Sequence, residues 1–486
     1  MLERLVTPEN KKWWTLGAVS VGLFMMMLDN TVVNVALPRM RESLGLSLSE
    51  LEWVVTGYAL TFAAFMLTGG KLADLLGRRL IFMAGLVVFT GASLACGLAP
   101  NGGFLIGARV VQGLGGALMN PATLSIITAT FPPKQRGTAI GIWAGVSAMA
   151  LAIGPLVGGL LTEHVNWNWI FFINVPIGAA GLLAIPFLID ESRDTSHEQK
   201  PDVPGLVVSA AGLFALTYAF IEANSYGWGS GRIVGAFVVA AVLLSGFVLL
   251  ERHQRLPMLD LSLFRNRTFS GANTAMLFVG LAMFGTFFYV SLYMQNVLRY
   301  SPVEAGAAFL PMTFLIIALA PRAGKLSDQI GSRWLVGGGM LLLAVMLFYY
   351  STLGAHASFW ALLPGLIVGG VGMGVTMTPV TAAAMSAVPV TKAGVGSAVL
   401  NSMRQVGGSL GIAIMGAIVA STTASSLRAG DPQNIAFLHG FHDALRVASL
   451  IALAGAAVAT AAIRKIEHHA APEQQAPEHP GAVEVA

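Results

Sequence analysis

Leu28-Asp29-Asn30-Thr31-Val32-Val33-Asn34-Val35-Ala36-Leu37-Pro38 closes an apolar run that begins at Trp13. Trp13 to Leu37 is 25 residues, about 37 Å of helix at 1.5 Å per residue, which crosses a bilayer with some tilt. Asp29 sits inside that run. A carboxylate at the centre of a spanning helix costs about 2.5–3.5 kcal/mol on insertion scales, so acids there are rare and by default mark function. The other reading is a packing acid satisfied by a neighbouring helix.

Working outward, the whole chain is oily. Its 486 residues are 55% apolar and 11% charged, with mean hydropathy +0.72. Repeated apolar runs on this scale make an all-α integral membrane protein. The formal net charge of +4 is too small for a nucleic-acid footprint. Cys96 is the one cysteine, so an intrachain disulfide is excluded. The first run is too long for the h-region of a cleavable leader, and no small-residue site follows it, so no leader is expected.

Fourteen transmembrane helices are expected, at 13–37, 52–69, 80–99, 103–126, 139–162, 170–189, 205–223, 232–250, 269–295, 303–321, 334–353, 359–381, 394–420 and 441–463. If the N-terminus is cytoplasmic, 20 of the 28 Lys and Arg fall in inside segments, five fall outside and three lie within spans. This bias puts both termini inside and requires an even number of spans. The expected organisation is a cytoplasmic N-terminus (1–12), a six-helix bundle (13–189), a polar linker (190–204) and two additional helices (205–250). An amphipathic cytoplasmic loop (251–268), a second six-helix bundle (269–463) and a Pro-, Glu- and Ala-rich tail (464–486) follow. That composition reads as disordered, and the loop suits a helix at the membrane surface.

The two bundles share a repeat. Gly70-Lys71-Leu72-Ala73-Asp74-Leu75-Leu76-Gly77-Arg78-Arg79 follows span two, and Gly324-Lys325-Leu326-Ser327-Asp328-Gln329-Ile330-Gly331-Ser332-Arg333 follows span ten. Both read GKLxDxxGxR, as expected of a secondary transporter built from parallel repeats. Gly70, Asp74, Gly77, Arg78, Arg79, Gly324, Asp328, Gly331 and Arg333 are candidates for a cytoplasmic gate. Each Asp is free to cap a helix start or to pair with a nearby Arg.

Arg109, in span four, lies about 9 Å deep, and Asp29 about 12 Å deep, counted from the same side. The two can meet at one level. A partner Arg favours the ionised acid and apolar surroundings favour the neutral one, which leaves a group able to exchange protons. A purely structural ion pair is the alternative. Span five carries Gly145, Gly154-Pro155 and Gly158-Gly159; small residues at intervals of four permit close packing, and Pro155 removes a donor and bends the helix. Asn401, Arg404 and Gln405 share one face of span thirteen, with no obvious acid partner for Arg404. Glu222 is expected to be the only other acid deep in a run, snorkelling at its end. The histidines fall in loops, tails or span ends, which argues against a metal site or proton relay. No P-loop is present, and no catalytic constellation is visible.

These motifs together resemble those of fourteen-span drug:proton antiporters of the major facilitator superfamily. LDNTVVNVALP around Asp29 resembles the first-helix signature, GGKLADLLGRR the loop signature, and LIGARVVQGLGGA with Arg109 the span-four signature assigned to proton transfer. GPLVGG from Gly154 resembles the antiporter signature, and WNWIFFINVPIG from Trp167 and NSMRQVGGSLG from Asn401 also match. Asn168 departs from the basic residue usual in relatives.

The resemblance implies a major-facilitator fold, in which two six-helix bundles enclose a cavity open alternately to each side and the two extra helices lie outside it. It implies proton-coupled efflux of amphipathic, often cationic compounds, with Asp29 and Arg109 handling the proton. Asn34, Tyr58, Gln112, Asn120, Asn401, Arg404 and Gln405 are the polar candidates for the cavity. At the repeat's offset, Met283 and Leu363 stand where the first half has Asp29 and Arg109, so coupling is expected in the first half. The expected partners are small-molecule substrates, protons and the cell-membrane lipid. A monomer is expected, driven by the proton gradient, with no cofactor and no enzymatic activity. An exporter of one metabolite or of a self-made antibiotic is the alternative.

Overall fold

In the computed structural model the polypeptide is described at residues 7, 10–193, 202–254, 257, 259–388 and 393–464. Most of the N-terminal segment, the middle of the 190–204 linker, parts of the 251–268 loop and the tail beyond Arg464 lie outside the described residues. The first half comprises α1 (Lys11–Leu44), α2 (Leu48–Leu76), α3 (Arg78–Gly97), α4 (Gly102–Thr130), α5 (Pro133–His164) and α6, which is split into Trp169–Phe172 and Asn174–Leu188. Then come α7 (Val203–Tyr226) and α8 (Gly231–His253). The second half comprises α9 (Arg267–Leu292), α10 in two pieces (Pro302–Ala308 and Leu310–Ile330), α11 (Ser332–Tyr350), α12 (Phe359–Ser386), α13 (Ala393–Arg428) and α14 (Gln433–Ala462). Among the described residues, 13 helices are long and apolar enough to cross a membrane. The expected fifth span lies in the remaining long helix, α5.

Local chemistry sets the ends. Ser47 and Glu50 form a capping box at the start of α2, and Ser301 and Glu304 form one at α10, each satisfying two orphan amides. Gly77 and Gly331 occupy φ 122° and 88°, a region that favours glycine. The repeated motif is therefore not a loop. Gly70 to Leu76 continues α2, Gly324 to Ile330 continues α10, and each run ends at its glycine. The connection between spans thirteen and fourteen, expected over 421–440, is also shorter than the hydropathy implies. It shrinks to 429–432, because α13 runs on to Arg428 and α14 starts at Gln433. Hydropathy marks where lipid ends, not where the helix ends. His439 consequently sits in a helix rather than a loop.

Within each half the same pairs pack: α2 and α3 on α4, and α10 and α11 on α12. The halves join through α2 with α13 and through α5 with the first piece of α10. These are one pairing exchanged between repeats, second helix with fifth. The added α7 lies on both α13 and α2, so it covers that seam from outside, while α8 packs on α7 and leaves most of its surface to lipid.

Lys11, the Gly77 and Gly331 turns and Arg464 share the terminal face; the opposite face is called distal. Contacts between the halves concentrate near the distal face. The Ser291 hydroxyl donates to the Asn34 carbonyl at 3.0 Å, Gln295 to the Val35 carbonyl at 3.0 Å, and the Val303 amide to Glu163 at 2.9 Å. Bare glycines let the backbones approach. Gly158 faces Val32 of α1, Gly159 faces Pro302, and Gly306 faces the Pro155 carbonyl. Gly145 is exposed, with open space beside its α-carbon, so it does not share in this packing. Replacing Gly306 with Leu is expected to part the distal seam. A disulfide engineered between Asn34→Cys and Ser291→Cys should form readily in the parent and poorly in the Gly306→Leu background, read by gel mobility.

Candidate functional site: a buried acid–arginine cluster

Five helices of the first half converge on Asp29. It is 0% exposed, and Arg109 is 1% exposed. The Arg109 guanidinium donates to Asp29 Oδ2 at 2.5 Å and to Gln112 Oε1 at 2.7 Å. Gln112 Nε2 donates to Asp29 Oδ1 at 3.0 Å, so both carboxylate oxygens are held. Arg109 Nε donates to the Val54 carbonyl of α2 at 3.0 Å. Its charge lies over the Tyr58 ring at 4.3 Å and the Phe171 ring at 5.6 Å, an attraction that strengthens away from water. The depth match read from residue counting is realised in three dimensions.

A further ring of polar groups fixes Gln112. Its amide also donates to Ser93 Oγ at 3.3 Å. Asn174 donates to the same hydroxyl at 3.0 Å, which in turn donates to the Phe171 carbonyl at 2.9 Å. Cys96 Sγ stands 3.6 Å from Gln112 Oε1. Asn174 begins the second piece of α6, where the helix breaks at Ile173. Sequence reading missed Ser93, Cys96 and Asn174. Small polar residues in spans are common, and nothing local shows which of them face an ion pair.

The cavity candidates separate. Tyr58 and Gln112 are buried in the Asp29 cluster. Asn34 sits in the distal seam, where its carbonyl is used by Ser291. Asn120 is 9% exposed. On α13, Asn401 and Arg404 are half-buried, whereas Gln405 is 2% exposed, so the three do not share one environment. Arg404 Nε is buried with no hydrogen-bond partner among the described residues. The expectation about Glu222 is also corrected: Glu52 is a second acid sealed inside, 2% exposed. Helix α2 starts four residues before the expected span, which carries Glu52 a full turn inward.

At the terminal face Asp74 pairs with Arg78 across the Gly77 turn, at 3.1 Å to both Nε and Nη2. The capping role falls to Glu191, which accepts from the Arg79 and Leu80 amides at 3.1 and 3.2 Å, negative charge on a helix N-terminus. In the second half Arg333 lies 4.9 Å over the Trp334 ring, and its Nε has no partner among the described residues. The side chain of Asp328 lies outside the described residues. No cluster of metal-ligating residues occurs among the described residues.

Residues 19–412 match the family model described as "Major Facilitator Superfamily". The chain belongs to the major facilitator superfamily. It is 38% identical to the tetracenomycin C resistance and export protein of Streptomyces glaucescens, over 85% of this chain and 76% of that one. It is 36% identical to the multidrug resistance protein Stp of Mycobacterium tuberculosis, over 85% and 77%. In fold it is similar to a bacterial homologue of the human lysosomal transporter Spinster, at 19% identity with TM-score 0.67, covering 94% of this chain and 97% of that one. This major facilitator is thus a multi-pass, all-helical membrane protein of a transporter family.

Removing one member of a buried ion pair strands the other, at a cost of about 3–5 kcal/mol. Asp29→Ala is therefore expected to lower the unfolding temperature of the detergent-solubilised protein more than the double change Asp29→Asn with Arg109→Gln does. Thermal unfolding of both proteins beside the parent measures the coupling.

Proposed function

We propose that this chain is a proton-coupled exporter of amphipathic, often cationic drugs, working by alternating access from a cell membrane with its terminal face in the cytoplasm. The observation that carries the reading is a wholly buried acid whose two oxygens are held by Arg109 and Gln112, in one half of a repeated fold. Met283 and Leu363 stand at the matching places in the other half. An acid in that setting is the natural carrier of a proton, since neutralising it changes what holds Arg109. The names of the two relatives support the substrate class: one is called a tetracenomycin C resistance and export protein and the other a multidrug resistance protein.

Both Asp29 oxygens are occupied and sealed, so the substrate and the proton compete at a distance. Protonating Asp29 weakens its hold on the Arg109 guanidinium. That frees α1 relative to α4, and Gln112 and Tyr58 must repack with the released cation. The proton gradient supplies the work, no cofactor takes part, and a single chain suffices. The basic residues gathered at the terminal face support its placement in the cytoplasm. Export of one self-made antibiotic is the second reading, favoured by the name of the Streptomyces glaucescens relative.

In proteoliposomes, adding a transported drug to the parent should drive proton movement, and Asp29→Asn should abolish it while drug binding persists. Full coupling in Asp29→Asn would remove Asp29 from the mechanism. Arg109→Lys should also fail, because an ammonium cannot reproduce the guanidinium's simultaneous bonds to Asp29, Gln112 and Val54.

A further inference from the structure

Glu52 is a buried acid that the Asp29 cluster does not use. It lies in the distal third of α2, 2% exposed, at the seam between the halves. Tyr289 of α9, 0% exposed, donates its hydroxyl to Glu52 Oε1 at 2.8 Å. On the other side the carboxyl abuts Gly416 of α13, where any Cβ would overlap Oε1. The acid belongs to one half, and two helices of the other half enclose it. From α7, which covers the seam, the charged group acting on it is Glu222, another acid. Asn224 of α7 donates to the Ala417 carbonyl at 2.6 Å, beside Gly416, and Trp53 stacks on Phe214 at 6.4 Å. No basic side chain pairs with Glu52 among the described residues. The contrast with Asp29 is chemical: there a guanidinium balances the carboxylate, whereas here one neutral hydroxyl stands alone against a buried charge.

We propose that Glu52 is a second proton-binding site, loaded from the distal side before Tyr289 and Gly416 can close over it. The inference rests on the proton-coupled reading above. When the distal face is open, α2 parts from α9 and α13 and the Glu52 carboxylate meets water. Closing it while charged would leave an ion with one hydroxyl donor and an acidic neighbour. Taking one proton from the distal water makes it a neutral acid that the seam accommodates. Asp29 then carries the proton that crosses, and Glu52 binds one that licenses distal closure and is released when the face reopens. The distal face should therefore respond to pH independently of Asp29.

The test is a distance across the distal face. Spin labels go on Ser43→Cys and Arg299→Cys, both exposed positions, in full-length protein in lipid nanodiscs between pH 8 and 5. The buried Cys96 stays in place. In the parent the closed-to-open ratio should rise as pH falls, by about tenfold per pH unit at its steepest for a single proton. Asp29→Asn should keep this response, and Glu52→Gln should be closed at every pH. An unchanged pH response in Glu52→Gln, or no response in the parent, overturns the proposal. If Glu52→Gln does not fold, Tyr289→Phe decides: removing the donor weakens the closed state, so its midpoint should move to lower pH, and an unmoved midpoint also overturns the proposal. Loss of drug-driven proton movement in Asp29→Asn is scored separately in proteoliposomes, so failure of one assignment leaves the other readable.

Discussion

A carboxylate and a guanidinium sealed from water together organise the first half of this protein. Neither tolerates the membrane interior alone, so each must find the other and then fill every remaining bonding position. That requirement draws in Gln112 for the second carboxylate oxygen, the Val54 carbonyl for Arg109 Nε, and Ser93 with Asn174 to fix Gln112. Helices α1, α2, α3, α4 and α6 are held around one point by bonds that lipid cannot supply. In the second half, among the described residues, no ion pair is sealed from water. There Tyr293 stacks on Phe441 at 4.6 Å, and its hydroxyl reaches the Gly354 carbonyl at 2.6 Å. Two repeats of one fold thus carry different cores, one built on an ion pair and one on aromatic and aliphatic contact.

The seam between the halves follows a different rule. Lipid tails are as apolar as the helices, so helix association in a membrane depends on close backbone approach and on hydrogen bonds. Gly159, Gly306 and Gly416 supply the approach, and Asn34, Val35 and Glu163 supply acceptors. The joint is a pseudo-twofold exchange of one pairing, α2 with α13 and α5 with α10. Such a joint can open on one face while its other end serves as a pivot. Helix α7 covers the α2–α13 side, and α8 packs on α7.

Much of the fold was legible in the linear chain. Run lengths located the helices, and the GKLxDxxGxR repeat located the two turns at Gly77 and Gly331. Counting residues from the span ends put Asp29 and Arg109 at one level. The misreadings share a cause. Gly70 to Leu76 was taken for loop, and the end of α13 was placed eight residues early, because hydropathy reports solvent and not hydrogen bonding. That Tyr58 and Gln112, two of the cavity candidates, lie in the Asp29 cluster was not legible, because a polar side chain in a span has no visible direction until its neighbours are known. Glu52 escaped notice for the converse reason: four residues before it α2 has already begun, so an acid at the edge of an apolar run sits inside the protein.

The sequence by itself determined the class of protein, the order of its apolar helices, its two-fold repeat and the common level at which Asp29 and Arg109 meet. Those properties are local or periodic, written in run length, charge placement and motif spacing. Only the tertiary structure decided which side chains complete the pair, which cavity candidates are sealed away, and that Glu52 faces Tyr289 and Gly416. Gln112 stands 83 positions from Asp29, and Tyr289 stands 237 positions from Glu52. Which face of a helix meets a distant partner is set by how whole helices pack, and no stretch of sequence carries that alone.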